Sequence, residues 1–189
     1  MRLILASASP RRKLLLEQAG NEVLVRPSYI SELLSHPDGP SALALANARL
    51  KAQAVYEALR PNEREIILGA DTVVCLDNEI FGKPRDRAEA ESMLTRLSGH
   101  WHKVITGVCL LGPLSINEFF DTTQVLFHSL ELAEIRSYLD SIHPYDKAGA
   151  YAAQQGGERI ISQVKGSFSN IVGLPLEALL LSSLYHSGH

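Results

Sequence analysis

Residues 66–76 read IILGADTVVCL, an apolar and β-branched run broken by one carboxylate and one hydroxyl, Asp71 and Thr72. The run predicts a strand, and Asp77-Asn78 ahead of Glu79-Ile80-Phe81 predicts a hairpin turn at its end. Burying an ionised carboxylate costs several kcal/mol unless it is paired. Asp71 should therefore meet a cation, a metal ion or a site water, as a general base or a metal ligand. The blander alternative is an aspartate at a strand end that caps a nearby backbone N–H.

Upstream of that strand, residues 41–59 are rich in Ala and Leu and predict a long helix with Ser41 as N-cap. Leu43, Ala46, Leu50, Ala54 and Val55 fall on one stripe of it, with Lys51 beside the stripe. Residues 3–6 read as a short strand, residues 7–10 as a small-residue loop, and residues 11–19 as a helix that places Leu14, Leu15, Gln18 and Ala19 on helical spacing and stops at Gly20. A second strand spans residues 22–26. Residues 27–40, with three prolines and a glycine, read as a surface loop carrying Glu32, able to close over a cleft.

Downstream, Asp86-Arg87-Ala88-Glu89 has capping-box spacing and opens a helix to Leu97, ended by Gly99. Residues 101–111 and 118–130 read as strands joined through Gly112-Pro113, paired antiparallel. Residues 131–142 form a helix ended by Pro144. Residues 146–157 are rich in Gly and Ala without a period. Strand-like segments follow at 159–164 and, past a Lys165-Gly166 turn, at 169–172. Pro175, at an N1-like position, starts a last helix over 176–185, and residues 187–189 should fray. Several adjacent strand pairs lack an intervening helix, which favours a mixed sheet flanked by helices, with a cleft, over an all-parallel sheet.

At 189 residues the chain predicts a single domain, residues 1–189. With 46% hydrophobic and 21% charged residues it falls outside the disordered and fibrous classes. Eighteen basic against twenty-one acidic side chains give a formal charge of −3, no surplus to draw a nucleic acid or an acidic membrane. Phosphate chemistry would need a local basic cluster. Cys75 and Cys109 stand far apart with no CxxC pattern, which suggests neither zinc nor a disulfide framework and fits a reducing compartment. No signal-peptide pattern and no membrane-length apolar run is read, so the expected location is cytoplasmic.

Four constellations could carry chemistry. Ser7-Ala8-Ser9-Pro10-Arg11-Arg12 lies at a strand-to-helix junction, where free N–H groups, the helix dipole and two guanidiniums would hold an anion. Its blander reading is a serine N-cap followed by two solvated arginines. Asp71-Thr72 is the second. Gly82-Lys83-Pro84, with Lys51, is the third, although a lone lysine is usually a solvated surface charge. The fourth is residues 146–154, whose small residues permit close backbone approach and whose Gln154 can read donor and acceptor edges. It reads equally as a tight crossing packed on the core. Walker, GxGxxG, GxSxG, HExxH and EF-hand patterns are absent. His100 and His102 flank Trp101 and read as structural or surface residues.

Taken together, LASASPRR at 5–12, Glu32, Lys51, GADTVV at 69–74, GKP at 82–84, LSGHWHKVITGV at 97–108, DKAGAYAAQ at 146–154 and GSFSNIVGLPLE at 166–177 resemble the Maf family of nucleotide pyrophosphatases. Ser31 stands where an Asp commonly precedes the loop Glu, Ala153 replaces a bulkier apolar residue, and Gln155-Gly156-Gly157 departs from the usual continuation. The resemblance implies an ITPase-like α/β fold, a curved mixed sheet with two lobes around a nucleotide cleft, and a homodimer. It implies hydrolysis of a nucleoside triphosphate to the monophosphate and pyrophosphate with a divalent cation, Mg²⁺, Mn²⁺ or Co²⁺. Asp71 would be the proton acceptor for water. Ser9, Arg12, Lys51 and Lys83 would bind the triphosphate, and Glu32 and Asp71 would serve the metal. Arg11, Thr72 and Gln154 match the dTTP/UTP branch rather than the 7-methyl-GTP branch. The rival readings are a nucleotide-binding regulator of septum formation or cell division that does not turn over its ligand, and a sugar-phosphate or nucleic-acid binder.

Overall fold

The structure, a computed structural model, describes residues 2–182. Seven strands form one mixed sheet: β1 (Arg2–Leu5), β2 (Val23–Val25), β3 (Glu65–Leu76), β4 (Glu79–Phe81), β5 (Trp101–Leu111), β6 (Ile116–Phe127) and β7 (Ile161–Lys165). Their spatial order is β2-β1-β3-β5-β6-β7, with β4 paired to β3. The first three positions are parallel, and β3, β5, β6 and β7 run antiparallel as hairpin-type neighbours. The helices are α1 (Pro10–Gln18), α2 (Pro40–Leu59), α3 (Arg87–Leu97), α4 (Leu132–Ser141), α5 (Phe168–Val172) and α6 (Leu176–Leu180). The mixed sheet flanked by helices agrees with the sequence reading. Among the described residues no helix is long and apolar enough to cross a membrane.

Strand alternation sets the layers. On one face of β3, Ile67, Val73 and Cys75 pack under α2, through Ala48, Ala52 and Val55 in one cluster and Leu43 and Ala44 in another. The close fit depends on glycine. A Cβ on Gly69 would lie 2.1 Å from the Ala48 carbonyl oxygen, and one on Gly107 2.5 Å from that of Ala44. The opposite face carries two separate cores. Ile66, Leu68 and Ala70 join α1 and the Leu174–Leu179 region, whereas Val74 joins α3, α4, Phe127 and Tyr151.

Between those cores the sheet has a gap. β1 pairs with β3 only as far as Leu68, and β4 begins only at Val74. Residues 69–73 therefore have a strand partner on the β5 side alone. This opening positions the site, and it falls on Asp71 and Thr72.

The structure corrects several sequence expectations. Gly39, at φ 89°, is the N-cap of α2 and Pro40 its first residue, so Ser41 lies inside the helix. A left-handed backbone there admits glycine in preference to serine. The buried stripe of α2 is Leu43, Ala44, Asn47, Ala48, Lys51, Ala52 and Val55, and Leu50 is exposed; Lys51 lies within the stripe. In α1 the inward residues are Arg12, Leu15 and Leu16 while Leu14 is exposed. Asp86 does cap the Glu89 N–H, but the Glu89 carboxylate takes the Arg85 N–H instead of closing the box on Asp86. Residues 169–172 are helical because the Ser167 hydroxyl accepts the Asn170 N–H and Gly173, at φ 121°, ends the turn. Pro175 is the N-cap of α6, and α6 stops at Leu180; Tyr185 and residues 187–189 lie outside the described residues.

Candidate active site

A cavity of about 500 Å³ opens at the sheet gap. Its walls come from the loop after β1, the N-terminus of α1, loop residues 28 and 32, α2, β3, residues 145–154 and the turn at Gly173. All nine residues singled out from the sequence line it: Ser9, Arg11, Arg12, Glu32, Lys51, Asp71, Thr72, Lys83 and Gln154. So do Ser7, Asp146 and Lys147, which gives five cationic side chains against three carboxylates. The chain as a whole is acidic, so this wall is the local basic cluster that its net charge withholds elsewhere.

On the cavity floor Lys51 bridges two acids. Its ammonium lies 2.6 Å from Asp71 Oδ1 and 2.8 Å from Glu32 Oε1. Asp71 and Gly69 share the face of β3 that glycine lets α2 approach, so a lysine one turn beyond Asn47 reaches the carboxylate directly. Asp71 and Lys51 are both buried, 7% exposed each, and removing either partner of such a pair costs about 3–5 kcal/mol because the other is left unpaired. Burial alone would raise the Glu32 pKa. Its hydrogen bond and attraction to Lys51, with Lys83 at 3.6 Å and Arg12 nearby, override that and hold it below the usual range. The reading of Asp71 as a mere strand-end cap is set aside, because its partners are Lys51 and the side-chain amide of Asn47.

Arg12 is held from three sides. Nε donates to the Gly173 carbonyl at 2.7 Å, Nη1 to the Ser7 hydroxyl at 3.0 Å and Nη2 to the Thr72 hydroxyl at 3.0 Å. Burial lowers its pKa and Asp71 partly restores it, and a guanidinium stays charged throughout. Three of its five N–H groups are used, so two remain for a ligand in the cavity. Ser9 caps α1 by accepting the Arg12 N–H at 3.5 Å, with Pro10 at the first helical position. The cap reading and the anion-site reading of this serine are thus compatible, because its hydroxyl proton stays available.

Thr72 faces the opposite side of β3 from Asp71, between Arg12 and the Thr106 hydroxyl at 2.9 Å. Arg11 is half-exposed and pairs with Asp146 at 3.2 Å. Asp146 also takes the Lys147 ammonium at 2.6 Å, and these two cations outweigh the burial that would raise its pKa. Gln154 sits exposed at the rim.

The segment 146–154 is both things its sequence allowed: Ala150 and Tyr151 are core, Gly149 lies against Val74 at φ 68°, and Lys147 and Gln154 border the cavity. Lys147 and Asn47 carry no individual role in the sequence reading. Lys147 falls in the small-residue segment 146–154 without a part of its own, and nothing in the local sequence marks Asn47. The 3.6-residue spacing that puts Asn47 on the face of Lys51 was the available signal.

His102 is structural, as expected: it is buried, edge-on to Phe127 and within 3.0 Å of the Tyr151 hydroxyl. Cys75 and Cys109 are buried free thiols. Among the described residues no three His, Cys, Asp or Glu side chains gather so as to hold a metal ion.

The Maf-like protein family model matches residues 2–183. A dTTP/UTP pyrophosphatase of Aquifex aeolicus is 41% identical over 179 residues, covering 95% of this chain and 92% of that one. One from Akkermansia muciniphila is 41% identical over 178 residues, covering 94% and 93%. One from Bacillus cytotoxicus is 41% identical over 179 residues, with 95% and 92% covered. Among solved structures, the Staphylococcus aureus Ham1 protein aligns at TM-score 0.49 and 16% identity, over 84% of this chain and 90% of that one. A nucleoside-triphosphatase / dITP/XTP pyrophosphatase from Mycobacterium abscessus aligns at TM-score 0.46 and 13% identity, over 69% and 76%. With the family model spanning nearly every residue and relatives this similar along nearly the whole length, the chain belongs to the Maf family.

Proposed function

We propose that the chain hydrolyses dTTP and UTP to the nucleoside monophosphate and pyrophosphate. The observation that carries this is the Asp71–Lys51–Glu32 cluster at the foot of a cavity whose other wall is Arg11, Arg12, Lys83 and Lys147. Cleaving an α,β-phosphoanhydride needs a base for water, neutralised phosphate charge and fixed positions. The names of the relatives supply the substrate class.

In this reading Asp71 accepts the proton of a water as that water's oxygen bonds to the α-phosphorus and the α,β-bridging P–O bond breaks. Pyrophosphate leaves with the bonding electrons. Lys51 pairs with Asp71 and, with Lys83 and the free donors of Arg12, neutralises charge on the phosphoryl oxygens. Ser9 and the Arg11 N–H at the start of α1 hold a further phosphate. Gln154 at the rim hydrogen-bonds both donor and acceptor edges of uracil or thymine, and Arg11 steers the nucleoside from the same side. A purine would not match both edges of the Gln154 amide in this way.

The donor set fits a divalent cation of the Mg²⁺ type, which keeps several waters and takes one or two carboxylates plus substrate phosphates instead of an all-protein cage. Glu32 and Asp71 would hold Mg²⁺, Mn²⁺ or Co²⁺ in that manner. Such an ion, when bound, neutralises phosphate charge and lowers the pKa of a water.

The test is a nucleotide panel with product identification. dTTP and UTP should give monophosphate and pyrophosphate ahead of dCTP and 7-methyl-GTP. Preference for 7-methyl-GTP would overturn the branch, orthophosphate as product would overturn the reaction, and ligand-induced stabilisation without turnover would favour the regulator.

A further inference from the structure

One residue ties the two acids of the site together, and neither the family motifs nor the proposed chemistry assigns it a part. Asn47 lies on α2 one turn before Lys51 and is 2% exposed. Its Oδ1 accepts the Leu33 N–H at 2.8 Å and its Nδ2 donates to the Leu33 carbonyl at 3.1 Å, the paired pattern one strand makes with the next. The other proton of Nδ2 goes to Asp71 Oδ2 at 3.2 Å. Leu33 is the neighbour of Glu32, Glu32 takes Lys51, and Lys51 takes Asp71 Oδ1. The chain of contacts closes on itself through Asn47, Leu33, Glu32, Lys51 and Asp71.

We infer that Asn47 is a positioning residue: it anchors the loop that carries Glu32 to helix α2 and, with the same amide, fixes which way the Asp71 carboxylate faces. The inference rests on the reading of Asp71 as the base. An amide is the side chain this place requires. The loop between β2 and α2 has no strand or helix of its own to use the Leu33 N–H and C=O, and an amide carries both the acceptor and the donor that take them. Nδ2 then has one proton left, and it occupies one lone pair of Asp71 Oδ2 while leaving the other for water. Lys51 holds the second oxygen, so the carboxylate is clamped at both ends and cannot rotate about its last bond. Without the amide the part of the loop around Glu32 would keep the two ion pairs of Glu32, one of which reaches a half-exposed lysine at 3.6 Å, while the Ser28 hydroxyl holds the start of the loop to the Ala6 carbonyl.

Asn47→Ala and Asn47→Asp separate this role from simple packing. Aspartate keeps the volume and the acceptor for the Leu33 N–H but puts a second carboxylate where Asp71 had a donor. Packing alone would make Asp the milder change. The positioning role expects the reverse in turnover, with kcat for Asn47→Asp at or below that for Asn47→Ala, and both reduced about tenfold or more while KM moves less. Hydrogen exchange should quicken in residues 27–39 of Asn47→Ala and stay unchanged in the sheet. Wild-type turnover in a folded Asn47→Ala, or a milder Asp than Ala in kcat, would overturn the inference. Should either variant fail to fold, the wild type still decides: the Leu33 amide should exchange about 100-fold more slowly than the Ser35 amide two residues on, and equal rates would overturn the tether. Asp71→Asn is run beside them. Full activity there would remove the base assignment itself, whatever the Asn47 variants do.

Discussion

Two buried polar groups sit on the same sheet, and they differ in what their neighbours leave unfinished. His102 on β5 is buried against Phe127 and Tyr151, shares one hydrogen bond with the Tyr151 hydroxyl, and is not among the residues that line the cavity. Asp71 on β3 is buried to a similar depth, but it and its partner Lys51 stand at the edge of an open volume lined by four further cations. The lesson is that a polar group in a core is a site only where the strand beside it is missing. Strand β3 loses its neighbour for residues 69–73 and regains one at Val74, and the chemistry-bearing residues occupy that interval.

The sharpest way to break the comparison is Asp71→Asn, which keeps shape and removes the base. Turnover should fall about 10³-fold or more while nucleotide binding, read by calorimetry, changes only a few-fold. Lys51→Met comes next. It strips the charge that holds both acids, so turnover should fall about 10²-fold and the fold should lose about 3 kcal/mol in denaturant titration, because Asp71 is left buried without its cation.

On the other side of the comparison, burial pushes the His102 pKa from 6.5 to about 4. Its effect should be on stability alone. Between those values the unfolded chain binds a proton that the native chain refuses, so stability rises with pH across the window. It is present above pH 6.5 and lost as the pH falls toward 4, up to about 3 kcal/mol. Denaturant titrations of wild type and His102→Gln from pH 7 to pH 4.5 should differ in that slope and agree in pyrophosphate release at pH 7. The smallest expected effect is at the rim: Gln154→Ala should cost about tenfold in kcat/KM for dTTP and UTP, narrowing their lead over dCTP, with little change in thermal stability.

Much of this was legible in the sequence because it rests on local periodicity. The long strand around Asp71, the hairpin at Asp77-Asn78 and the α3 cap at Asp86 follow from near neighbours. The register of α2 did not, because an Ala-rich helix offers several stripes of equal hydropathy. The choice between them was made by Gly69 and Gly107, which lie on two strands distant in sequence and admit the helix backbone only at Ala44 and Ala48. That same choice turned Lys51 inward. Residues 169–172 were too short an apolar run to distinguish strand from helix without the Ser167 cap. All nine candidate residues reached one cavity, and Thr72 has its hydroxyl there between Arg12 and Thr106. Lys147 and Asn47 escaped notice because a lysine in a loop and an asparagine in a helix acquire meaning only from what they touch.

The central claim, that Asp71 directs water to the phosphorus nearest the nucleoside, is tested most directly by turnover of dTTP in ¹⁸O-labelled water with mass analysis of both products. The account expects the label in the monophosphate and none in pyrophosphate. Label in pyrophosphate would place the attack on the β-phosphorus and contradict it.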